Sequence, residues 1–84
     1  MARITNFREL SSATSGREHT DVECGYHIVK SGGQVLLQLD TYGSDQRQIS
    51  GKVSQSLQFD ADAARTLVHI ALRTFPALRD ELAI

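Results

Sequence analysis

His19, Cys24 and His27 lie within nine residues, and Cys24-Gly25-Tyr26-His27 has a C-x-x-H spacing. On an extended strand, residues three apart point to opposite faces, so Cys24 and His27 diverge. A tetrahedral zinc centre also needs more ligands than this segment offers, and Cys24 is the only cysteine. The expectation is therefore no metal, with Cys24 a small residue on the core face and His27 in solvent. His19, Asp21, Glu23 and His27 could in principle exchange protons. They have no paired nucleophile, and 84 residues leave little room for a deep pocket. Ser11-Ser12-Ala13-Thr14-Ser15-Gly16 lacks the glycine spacing and lysine of a phosphate-binding loop and reads as a plain polar loop. These features predict a binding protein, not an enzyme, with no cofactor.

A third set is polar, aromatic and basic. Single-stranded nucleic acid is held by cationic side chains along its backbone and by aromatic rings under its bases, each stack contributing about 1–3 kcal/mol. Lys30, Gln38, Tyr42, Arg47, Lys52, Ser54 and Gln55 are the residues of this kind around the expected strands. Arg47 and Lys52 flank one loop and are the strongest phosphate candidates. Tyr26 falls on an apolar row and reads as a core tyrosine. Nine basic and ten acidic side chains give a formal net charge of −1, so the chain as a whole exerts no pull on polyanions.

The elements that must position these residues follow from periodicity. Thr20–Val29 alternates, with Val22, Cys24, Tyr26 and Ile28 on one side, as a half-buried strand does. Gly32-Gly33 then provides a hairpin turn into a second strand, Gln34–Tyr42. Val35-Leu36-Leu37-Gln38-Leu39 is apolar on both faces, which calls for a central position in the sheet and cover on both sides. One helix can cover only one side, so a symmetry mate is the simplest further cover. After a polar turn at Gly43–Arg47, Lys52–Phe59 forms another strand, with Val53, Leu57 and Phe59 inward and Ser54, Ser56 and Gln58 outward.

Asp60 can cap a helix running to about Thr74, whose stripe Ala64, Leu67, Val68, Ala71, Leu72 and Phe75 faces the sheet. Arg65, His69 and Arg73 lie outside this stripe. Ile70 is free for a dimer contact. Pro76 stops the helix or begins a short second one through Leu82. The fold class is thus α+β: a small curved antiparallel sheet at 20–59, one amphipathic helix at 60–75 and a tail at 76–84. Residues 1–18 are expected as a less ordered arm and loop. Dimerisation is the expected supplement to so small a core. A lone cysteine and the lack of a secretory or membrane-spanning run point to a cytoplasmic setting with no membrane partner.

From Tyr26 to about Phe75 the order of elements resembles the single-stranded-DNA-binding domain of the positive-cofactor-four transcriptional coactivators. The resemblance is carried by Gly25-Tyr26-His27-Ile28-Val29, Lys30-Ser31-Gly32-Gly33, Val35 to Tyr42 and Gly51-Lys52-Val53-Ser54-Gln55-Ser56-Leu57, followed by the capped helix. It implies a homodimer with helices paired at the interface and sheets lining a channel for single strands, and it assigns basic roles to Lys30 and Lys52. This chain departs from the family where adjacent basic residues would follow Lys52, and in having no tryptophan. The resulting expectation is a dimeric nucleic-acid-binding protein for single-stranded DNA in transcription, repair or defence. The alternative is a protein-interaction or regulatory accessory subunit that binds no nucleic acid.

Overall fold

The computed structural model of the protein describes residues 1–11, 15–42 and 53–84. The expected turn at Gly43–Arg47, the middle of the Ser11–Gly16 loop, and the side chains of Arg47 and Lys52 lie outside the described residues. Four strands, β1 (Ala2–Ile4), β2 (Cys24–Ser31), β3 (Gln34–Tyr42) and β4 (Val53–Phe59), form one sheet in the order β1-β4-β3-β2. They are followed by α1 (Ala61–Thr74) and a short α2 (Leu78–Leu82). The fold is α+β, and β3 takes the interior position that its two apolar faces require.

Gly32 and Gly33 have φ of 55° and 80°, so both central residues of the β2–β3 turn occupy the left-handed region. Two positive values in a two-residue loop define the hairpin turn that matches the twist of its strands. The turn sets the register: Ser31 opposes Gln34, and the pairing runs back to Cys24 opposite Thr41. β2 therefore starts at Cys24, and Thr20–Glu23 precede the strand instead of opening it. These four residues have no ladder partner, and their apolar member, Val22, is exposed.

Residues 2–4 are not part of a loose arm. Ala2, Arg3 and Ile4 pair in parallel with Leu57, Gln58 and Phe59, which makes the sheet mixed instead of wholly antiparallel. The segment is too short for periodicity to reveal it. Its anchor is long-range: Arg3 donates to Asp60 Oδ2 at 3.3 Å. Asp60 has extended backbone and accepts the Ala63 N–H at 2.9 Å, capping α1 as expected. The same carboxylate thus satisfies an orphan helix donor and holds β1 beside β4. Pro76 follows the end of α1, and α2 closes on Ala83 in the left-handed conformation, φ 57°. Among the described residues no helix is long and apolar enough to cross a membrane.

The core is small. Among the described residues, Leu36, Phe59, Ala63 and Leu72 are the buried apolar ones and Ser56 the buried polar one. The helix stripe is only partly used against the sheet. Leu72 is buried, but Leu67, Val68 and Phe75 are exposed, and Ala63, one position off the stripe, is buried instead. The inward and outward assignments on β4 are also partly reversed. Val53 and Leu57 are exposed, whereas Ser56 is buried and Gln58 half-buried.

Candidate functional site

Paired strand residues share a face of the sheet, so the register sorts the side chains into two surfaces. Tyr26, Ile28 and Lys30 of β2, Val35, Leu37 and Leu39 of β3, and Leu57 and Phe59 of β4 share one face. His27, Gln38 and Gln58 share the other, as do Gly25, Asp40 and Ser56. The first surface is apolar and the second carries a hydrogen-bonded network.

The network centres on Asp40, whose side chain is only 14% exposed. Ser56 Oγ donates to Asp40 Oδ1 at 2.6 Å, and Gln38 Nε2 donates to the same oxygen at 2.9 Å. Gln58 Nε2 in turn donates to Gln38 Oε1 at 2.8 Å. The hydroxyl and amide donors from Ser56 and Gln38 hold the Asp40 carboxyl below its usual range, against an opposing effect of burial. His27 Nε2 stands 3.5 Å from Asp40 Oδ2 and forms an ion pair when protonated.

Serine, aspartate and histidine side by side raise the question of nucleophilic catalysis, and the geometry argues against it. In a working triad the imidazole lies between the hydroxyl and the carboxylate and takes the hydroxyl proton. Here the carboxylate lies between them, and Ser56 is buried. The arrangement ties β4, β3 and β2 together by their side chains.

Among the described residues, those assigned to nucleic acid do not assemble on one surface. Gln38 is committed to the network. Tyr42 is half-buried on the same face, its hydroxyl so close to Gly25 that a Cβ there would lie 3.0 Å away. Ser54 is exposed and has no ladder partner, because the register shifts between Thr41 and Tyr42, while Lys30 and Gln55 are exposed on the apolar face. Ile70 is half-buried in a groove between α1 and the N-terminal segment, lined also by Phe7, Arg8, Thr66 and Arg73. Cys24 is exposed instead of buried on a core face, and it faces away from His27 as expected. Among the described residues no group of three histidine, cysteine or acidic side chains converges as metal ligands.

The surface that sequence reasoning missed is the apolar one. Tyr26 is 77% exposed, contrary to its reading as a core tyrosine, and Ile28 and Val35 are 69% and 61% exposed. Leu37 and Leu57 are each 37% exposed. The signal was present in the two-sided apolar pattern of Val35–Leu39, which demands more cover than one helix supplies. Comparison with protein families, curated proteins and solved structures finds no match to this chain.

Proposed function

We propose that this chain is a non-enzymatic association module, a regulatory or accessory subunit that binds another protein surface through the apolar face of its sheet. The observation that carries this reading is the exposure of Tyr26, Ile28 and Val35 on the paired strands β2 and β3. Isolated exposed apolar side chains are ordinary, but a contiguous apolar surface on a soluble domain marks an interaction site. An aromatic residue flanked by aliphatic ones is the composition of an interface core. The test compares tagged wild type with an Ile28→Asp/Val35→Asp variant, each recovered from source cells with its bound proteins. A partner, including untagged copies of this chain, retained by wild type and lost from the variant supports the reading. Equal retention overturns it.

A second reading, single-stranded nucleic acid, is favoured by one observation. Tyr26 and Lys30 are both exposed and alternate onto the same face of β2. A ring for stacking and a cation for phosphate on one sheet surface suit single strands. Anisotropy of labelled single- and double-stranded oligonucleotides at three salt concentrations tests it. Binding to single strands that weakens with salt, by about 0.7 log unit per log unit for each neutralised phosphate, and drops in Tyr26→Ala, supports this reading. No binding at low salt removes it.

A further inference from the structure

We infer that the partner of the apolar sheet face is a second copy of this chain, and that two sheets pack face to face about a two-fold axis. This inference rests on the association reading above and names its partner.

The first argument is area. The chain exposes 7323 Å². A compact protein of 9.3 kDa exposes about 5,000 Å². Apolar side chains of the sheet contribute to the surplus. Tyr26, Ile28, Val35, Leu37 and Leu57 at their observed exposures present on the order of 500 Å². Two facing copies would bury on the order of 1,000 Å² from these side chains alone, the threshold of a specific interface before its polar rim is included.

The second argument is the small core. Four buried apolar residues among those described are few for a folded domain. Small domains reach stability by disulfides, metals or oligomerisation. Cys24 is a free thiol, so no internal disulfide is available. Stacked sheets with interdigitating aliphatic side chains, aligned to within about 30°, would supply the missing layer.

The exposed Leu67, Val68 and Phe75 of α1 form a competing surface, and the test separates the two.

The experiment is sedimentation equilibrium of the purified full chain between about 1 and 100 µM, the span of typical moderate affinities, with circular dichroism to verify folding. Wild type is expected as a dimer. Ile28→Asp/Val35→Asp is expected as a monomer at every concentration, and Val68→Asp as a dimer. Should the double variant fail to fold, Tyr26→Lys is read in its place, with the dimer dissociation constant raised at least about tenfold, 1.4 kcal/mol. A monomeric wild type overturns the inference, as does a dimer that survives the sheet variants or dissociates in Val68→Asp. A monomeric wild type whose partner retention still depends on Ile28 and Val35 would overturn self-association and leave the association reading standing. Loss of that dependence in cells would remove the reading itself.

Discussion

Ser56 and Asp40 are direct cross-strand partners, and the serine hydroxyl donates to the aspartate at 2.6 Å on the face of the sheet opposite Tyr26 and Ile28. A carboxylate so enclosed needs its donors, because an unsatisfied buried charge costs more than the hydrogen bond contributes. Ser56→Ala leaves Asp40 Oδ1 with Gln38 alone and is expected to lower the thermal midpoint by roughly 5 °C. Ser56→Thr keeps the donor and is expected to recover most of that loss. Thermal melts followed by circular dichroism check both. Equal midpoints for Ser56→Ala and wild type would mean that water replaces the hydroxyl without cost.

The same pair makes stability depend on acid. Ser56 and Gln38 lower the folded-state value of Asp40, and the Ala63 N–H, followed by Arg3, lowers that of Asp60. A depressed carboxyl contributes stability that is fully present above its unfolded value, about 3.9, and is lost as pH falls through the lower folded value. The urea midpoint is thus expected to stay level in this respect from neutral pH to about pH 5 and to fall below pH 4. Asp40→Asn should reduce the acid-dependent part of the fall, since the titrating group is gone. An identical acid limb in that variant would exclude Asp40 as a contributor.

The legibility of this fold follows the range of the interactions. The hairpin, the extent of β3, the Asp60 cap, the end of α1 and the short α2 are local, written in glycine, proline, capping residues and period. β1 is not local, because three residues pair with a strand more than fifty positions away, anchored by Arg3 and Asp60. The reversal on β4 has a similar cause. Alternation identified two faces correctly but not which was covered, since Ser56 and Gln58 find polar partners on β3 that permit burial. Leu57 and Tyr26 read as core because hydrophobicity marks a side chain that favours burial without showing whether the fold covers it. Lys30 and Gln38, alike as polar candidates in sequence, fall on opposite faces through strand parity.

The β2–β3 turn offers a test in which side-chain contacts play no part. Neither Gly32 nor Gly33 has a heavy atom within 4 Å of where a Cβ would stand, so a substitution meets only backbone strain. Gly33→Ala is expected to destabilise the chain by about 1 kcal/mol, the cost of placing an L-residue in the left-handed region. Gly32→Asn should cost less, since asparagine tolerates that conformation and is common in turns of this type. Urea denaturation distinguishes the two. Equal losses would mean that the turn relaxes to another type.

Gly25 is constrained for the opposite reason. It lies in a strand, where glycine weakens pairing unless another group needs the space. The Tyr42 hydroxyl occupies that space, 3.0 Å from the position of an added Cβ. Gly25→Ala therefore brings a gain in strand propensity and a clash that displaces the ring, and the clash is expected to dominate, giving a net loss of about 1 kcal/mol. In a Tyr42→Phe background the clashing oxygen is absent. There the same Gly25→Ala substitution is expected to be neutral or stabilising, as glycine removal from a strand interior ordinarily is. Urea denaturation of the four proteins in this double-mutant cycle yields the coupling directly. A coupling indistinguishable from zero would mean that the tyrosine ring swings aside freely and that Gly25 is required by something other than Tyr42.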